Sequence, residues 1–256
     1  MDPLSFAALA AVAFCAATVQ AATGFGFAIM AVPFFLLIMG SLSAIQVTAV
    51  VNFVISLVLM KRLMNDAPRR LLIYLVLGSL VGFPIGLAAF KAADLNSMKL
   101  VVGVLIILFA IILLIREWQV RRTDTGLKIN DSQEIVSRPV TEFLIGVVSG
   151  TMSVALAMPG PVVVLYLLAR HMGKKLSRAA TLLLFGFSYG AVSLVHTVWG
   201  GMTGESWLLA AKLSPFVIGG AILGHYVARF LSEELFRTII LVILIVSGLY
   251  GVWTAL

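Results

Sequence analysis

The feature that most constrains this chain is a pair of interruptions in apolar runs that are otherwise long enough to cross a bilayer. A helix needs about 20 apolar residues to span a hydrocarbon core of roughly 30 Å. The stretch Gln20-Ala21-Ala22-Thr23-Gly24-Phe25-Gly26-Phe27 falls inside such a run and leaves only the short apolar piece 27–39 before the next loop. A related stretch, Ser149-Gly150-Thr151-Met152-Ser153, is followed by Pro159, Gly160 and Pro161. With 61% hydrophobic and 11% charged residues, the chain is far more apolar than one soluble core requires. The interruptions are therefore expected at membrane depth, in an all-α polytopic membrane protein.

Apolar segments run over 3–22, 27–39, 42–60, 71–90 and 100–115, and again over 140–149, 154–169, 179–199, 207–226 and 238–256. Residues 116–139 form the only sizeable polar stretch and read as a cytoplasmic linker between a first repeat, 1–115, and a second, 140–256. The halves match in their spacing. Gly82 and Gly86 precede Lys91 and Lys99 at the same two distances at which Gly220 and Gly224 precede Arg229 and Arg237. Thr23-Gly24 with Pro33 lines up in the same way with Ser149-Gly150 and Pro159. Glycines spaced in fours, including Gly78, Gly186 and Gly190, are expected to let helices pack closely.

The formal net charge of +7 does not point to nucleic acid, because the Lys and Arg residues sit in short loops and not on a basic domain. Placing 61–70 in the cytoplasm and alternating sides puts fifteen basic residues inside and two outside. The positive-inside bias then places both termini outside a cell membrane. Five crossings per half is an odd number, so the second half would enter the membrane upside down. Inverted repeats of this kind are a transporter architecture, with substrate near the midplane where the repeats meet. The first segment has no basic residues ahead of it and reads as a retained helix.

Broken backbone at membrane depth is tolerated only inside protein or against a water-filled cavity. A half-helix starting near Phe27 would present unpaired N–H groups and the positive end of its dipole, which suits an anion. Gln20, Thr23, Gly24, Phe25 and Gly26 form the first candidate site; Ser149, Gly150, Thr151, Ser153, Pro159 and Gly160 form the second. Asn52, inside an apolar segment, could line the same cavity or make an interhelical hydrogen bond, and Gln46 lies nearer a segment end. Lys212 is expected to reach the outer interface, and His196 and His225 are expected to be structural. Glu142, Glu205, Glu233 and Glu234 lie near segment ends, which argues against a proton relay of membrane-buried carboxylates. Cys15 is the only cysteine, so there is no intrachain disulfide and no cysteine metal cluster. Two other readings stay open. One is an intramembrane hydrolase using Ser149 or Ser153 with His196, which requires the pair within hydrogen-bond reach; the other is a passive anion channel.

Thr23-Gly24-Phe25-Gly26 with Pro33, the repeat at Ser149-Gly150 with Pro159, and the two-half layout resemble the TauE/SafE, or TSUP, family of sulfite exporter permeases. The resemblance covers nearly the whole chain. It implies a secondary transporter for a small sulfur-containing anion such as sulfite, thiosulfate or an organosulfonate, with substrate held at the same two interruptions. It implies no enzyme activity and no cofactor. The partners would be the anionic substrate, the lipid bilayer and a coupling ion, with assembly into an oligomer left open and no nucleic acid.

Overall fold

The computed structural model describes residues 1–60, 68–122, 138–170 and 172–227, together with Ile245, Gly248, Leu249 and Trp253. Nine helices run through these residues: α1 (Pro3–Thr23), α2 (Phe27–Met39), α3 (Ser43–Met60), α4 (Arg69–Ala92), α5 (Leu95–Arg122), α6 (Pro139–Leu156), α7 (Gly160–Ala169), α8 (Lys174–Val198) and α9 (Gly204–Val227). There is no strand among the described residues. Seven helices are long and apolar enough to cross a membrane, and α2 and α7 are the two shorter apolar ones. The protein is an all-helical, multi-pass membrane protein. Most of the tenth apolar segment, His171, and the charges at Lys61, Arg62, Arg229 and Arg237 lie outside the described residues. Helix α5 continues to Arg122, into the stretch expected as linker, and 123–137 again lie outside.

The ends of α1 follow from its sequence. Asp2 accepts a hydrogen bond from the Ser5 N–H at 3.2 Å, and Pro3 occupies the first turn, where no N–H is needed. At the other end Gly24 turns left-handed (φ 91°) and its N–H returns to the Gln20 carbonyl at 2.7 Å. At 21 residues, or roughly 31 Å, α1 crosses the hydrocarbon by itself. The sequence predicts either short tilted helices on the two sides of the first interruption or a re-entrant hairpin that enters the membrane and turns back. Instead the interruption follows a complete span, and only α2, with 13 residues, is short.

Packing is organised by two seams. In one, α4 crosses α6; in the other, α9 crosses α1. Both are backbone-on-backbone contacts made by the expected glycines. A Cβ on Gly82 would fall 2.7 Å from the Thr151 amide nitrogen, and one on Gly224 would fall 2.9 Å from Ala21 Cβ. Each seam is fastened by one threonine. Thr151 Oγ1 lies 3.0 Å from the Val147 carbonyl of its own helix and 3.2 Å from that of Gly82. Thr18 Oγ1 lies 2.9 Å from the Phe14 carbonyl and 3.1 Å from that of Gly220. Without a hydrophobic driving force between helices in lipid, such close approach and hydroxyl bonds supply the attraction. The outer faces of α4 and α5, with Ile73, Leu77, Leu80, Val104, Leu108 and Ile111, are exposed and apolar, as lipid contact requires.

One expectation is corrected. The second interruption is not at Ser149–Ser153, which lie within α6; it is at Ala157-Met158-Pro159, between α6 and α7. Ala157 is the only left-handed non-glycine residue described (φ 53°). The separation from Thr18 to Thr151 is the same as that from Gly24 to Ala157, so the threonine fasteners and the left-handed turns correspond in one register. The register taken from Thr23-Gly24 and Ser149-Gly150 is displaced from it by seven residues, close to two helical turns. A two-turn slip leaves every residue on the same face, which is why the spacing pattern did not expose it.

Candidate functional site

At the first interruption the chain doubles back within three residues. Gly24 and Gly26 both have positive φ, 91° and 111°, which an L side chain rarely adopts. Thr23 holds the turn: its hydroxyl accepts the Phe25 N–H at 3.2 Å and bonds the carbonyls of Val19 and Phe25. The return brings Phe27 beside Gln20, whose Oε1 accepts the Phe27 N–H at 3.2 Å. Gln20 Nε2 in turn donates to Asn52 Oδ1 on α3 at 2.8 Å. Gln20, Phe27 and Asn52 are fully buried. The amide of Gln20 thus occupies the N-terminus of α2, where an unpaired N–H would otherwise stand. The Phe25 ring packs edge-on against Phe109 of α5, with centroids 6.3 Å apart.

At the second interruption the Ala157 N–H returns to the Ser153 carbonyl at 2.9 Å and the Met158 N–H to that of Met152 at 3.2 Å. The Ala157 carbonyl accepts the Tyr189 hydroxyl at 3.0 Å, and Ser149 Oγ donates to the Pro159 carbonyl at 3.0 Å. Gly160 starts α7 directly beneath the Phe185 ring, where an added Cβ would meet Cζ at 3.0 Å.

Helix α8 touches both interruptions. Phe185 and Tyr189 reach the second, and Arg178, nearer the helix start, reaches the first. Arg178 Nη2 donates to the Ala21 carbonyl at 2.6 Å, and its Cγ fills the space that a side chain at Gly24 would need, 2.7 Å from an ideal Cβ. A cation over the last turn of α1 also meets the negative end of that helix. His196, also on α8, holds the Val154 carbonyl at 3.0 Å while its ring packs edge-on against Phe90 at 4.6 Å.

Of the residues named from sequence, Gln20, Thr23, Gly24, Phe25, Gly26 and Asn52 come together at the first interruption. Pro159 and Gly160 lie at the second, and Ser149 reaches it through its hydroxyl. Ser153 is one turn before it and bonds the Ser149 carbonyl at 2.6 Å. Gly150 and Thr151 are elsewhere, on the α4–α6 seam: a Cβ on Gly150 would meet Ser79 Cα at 2.6 Å. Lys212 is exposed on α9, and Gln46 bonds the Gly200 carbonyl at 2.8 Å. Glu142 is buried in the first turn of α6, where it accepts the Arg138 N–H at 2.9 Å. Arg178 was missed because it was counted as a loop cation; its signal was a basic residue carried inside an apolar helix. The serine–histidine pair needed for a hydrolase is not assembled, since Ser149, Ser153 and His196 each bond a different main-chain carbonyl.

These features define an integral membrane protein built to hold broken helices inside a helical bundle, with polar groups and one arginine at the breaks. The chain belongs to the sulfite exporter TauE/SafE family, whose model matches residues 9–251 and so takes in both interruptions. This is a family of membrane transporters and not of enzymes. No curated protein and no solved structure matches the chain.

Proposed function

We propose that the protein is a secondary transporter of a small sulfur-containing anion, such as sulfite, thiosulfate or an organosulfonate, working by alternating access between two inverted repeats in the cell membrane. The observation that carries the proposal is the recurrence of one unit: a spanning helix ends in a left-handed turn, at Gly24 and again at Ala157, and a short apolar helix follows. The pairing of the seams supports it. The fourth helix of each half lies on the first helix of the other, with equivalent threonines bonding equivalent glycine carbonyls. An exchange of partners of this kind is expected of two halves related by a pseudo-two-fold axis. The substrate would lie at the first interruption, among Gln20, Asn52 and the N-terminus of α2, with Arg178 adding attraction for negative charge. The second interruption would provide the opposing wall. Both termini would lie outside, with the polar stretch 116–139 in the cytoplasm.

Binding tests the substrate class first. A ligand that prefers the folded state raises apparent stability by mass action, about 2.7 kcal/mol at a hundredfold excess over Kd. Sulfite, thiosulfate or a short sulfonate should therefore raise the melting temperature of the detergent-solubilised protein, while choline chloride should not. An unchanged melting temperature across the whole anion panel, with no flux into liposomes, would remove the proposal.

A further inference from the structure

Which donors remain available for an anion can be settled group by group, and the outcome differs from what residue types suggested. Thr23 is committed to its own turn, and Thr151, Ser149 and Ser153 to carbonyls. The Phe27 N–H is taken by Gln20. Besides Arg178 Nε on α8, two buried polar groups on α3 have no hydrogen-bond partner among the described residues: Asn52 Nδ2, beside Gln20, and Ser56 Oγ. Both residues are fully buried, and they are one turn apart on α3, where side chains at i and i+4 share a face.

The polarity of the Asn52 amide follows from the chain of bonds. A backbone N–H can only donate, so the Gln20 group facing Phe27 is its oxygen. The Gln20 group facing Asn52 is then its NH2, which requires an oxygen opposite. Asn52 therefore turns its own NH2 away from Gln20 and toward no acceptor. Ser56 is unusual in the same way. Thr48, Ser79, Ser153, Thr181 and Ser193, all buried in helices, return their hydroxyls to the carbonyl four residues back at 2.6–2.8 Å, whereas Ser188 on α8 shares with Ser56 a hydroxyl that has no partner. Across from it α8 presents Gly186, whose added Cβ would still be 3.9 Å from Ser56 Cβ.

We infer that Asn52 Nδ2 and Ser56 Oγ form the donor pair that receives an oxygen of the transported oxyanion, with Gln20 as the positioning residue that sets the direction of the Asn52 amide. The inference rests on the proposed transport of a sulfur oxyanion and names the chemistry of that site. Two adjacent donors without an acceptor call for lone pairs, which an oxyanion oxygen supplies. A coupling cation would meet the positive hydrogens of Nδ2 and be repelled, so this pair belongs to the anion. Neutral donors recognise an anion without burying a second charge in the bilayer, which would be costly.

The test is Ser56→Ala in the full-length protein, with thiosulfate and sulfite as probes. A buried hydroxyl without a partner destabilises the fold, so its removal should leave the ligand-free melting temperature unchanged or higher. The same substitution should weaken thiosulfate binding on the order of tenfold, the loss expected of one hydrogen bond to the ligand. Asn52→Asp keeps the oxygen that Gln20 needs but replaces the free NH2 by an oxygen, and should abolish the anion-induced stabilisation. Ser214→Ala, whose hydroxyl bonds the Ala210 carbonyl at 2.8 Å on α9, should leave anion binding at the wild-type level. If the wild type responds to thiosulfate or sulfite and both site variants respond equally, the donor pair is refuted while the transport reading stands. If the wild type responds to neither, the transport reading and this inference fall together.

Discussion

Gly220→Ala and its neighbour Gly219→Ala together test whether the α1–α9 seam is set by backbone contact. A methyl group at residue 220 would lie 3.1 Å from Ala17 Cβ and closer still to the Phe14 carbonyl oxygen. Carbon atoms prefer separations of about 3.5–4.0 Å, so the helices would have to part by on the order of 1 Å. Overpacking of this kind costs roughly 1–3 kcal/mol. Parting also stretches the Thr18 bond to the Gly220 carbonyl, which contributes about 0.6 kcal/mol in membrane helices. The helix-propensity gain of Gly→Ala returns about 1 kcal/mol. The net expectation at residue 220 is a loss of about 0.5–2.5 kcal/mol. At residue 219 the same methyl would meet only Phe14 Cε2, at 3.6 Å, an ordinary contact. There the propensity gain stands alone, and stability should rise by up to about 1 kcal/mol. Reversible unfolding in mixed detergent micelles, followed by circular dichroism, would measure both. Equal effects at the two positions would refute the seam as described, because they differ only in which face of α9 they occupy.

Three further outcomes follow from the interruptions. Ala157→Gly should stabilise the protein by on the order of 1 kcal/mol, since a left-handed L residue costs about that much, and the melting temperature would show it. Gln20→Leu leaves the Phe27 N–H and Asn52 Oδ1 without partners and should cost roughly 2–6 kcal/mol at about 1–3 per buried group; wild-type stability would contradict the relay. Arg178→Gln should raise the KM for anion uptake several-fold through loss of the cation at the first interruption. An unchanged KM with lowered stability would make Arg178 purely a cap on α1.

Much of the architecture was legible in the chain because lipid imposes simple rules. Apolar length located most of the spanning helices, and segment 27–39 was recovered to the residue as α2, but α6 was divided between segments 140–149 and 154–169. The glycines spaced in fours were identified as packing surfaces, and Gly78, Gly82, Gly86, Gly220 and Gly224 do face neighbouring backbone. The first interruption was legible because Gly24 and Gly26 both serve a conformation that needs glycine. The second was not, because its left-handed residue is Ala157, which carries no sequence signal for that conformation. The nearby Gly150 and Thr151 imitated a break while serving a seam, and Ser149 reaches the actual break only through its hydroxyl. The availability of donors was equally hidden. Residue type shows that Thr23 or Ser153 can donate, but only three-dimensional partners show that those hydroxyls are already engaged and that of Ser56 is not.

The most direct test of the central claim is counterflow in proteoliposomes loaded with unlabelled thiosulfate or sulfite and diluted into a trace of the labelled anion. A carrier that alternates between two faces should accumulate label transiently above its equilibrium level, and loading the lumen should accelerate entry. Label that merely equilibrates at a rate independent of the anion inside would identify a pore, and the absence of any protein-dependent entry would contradict transport of these anions altogether.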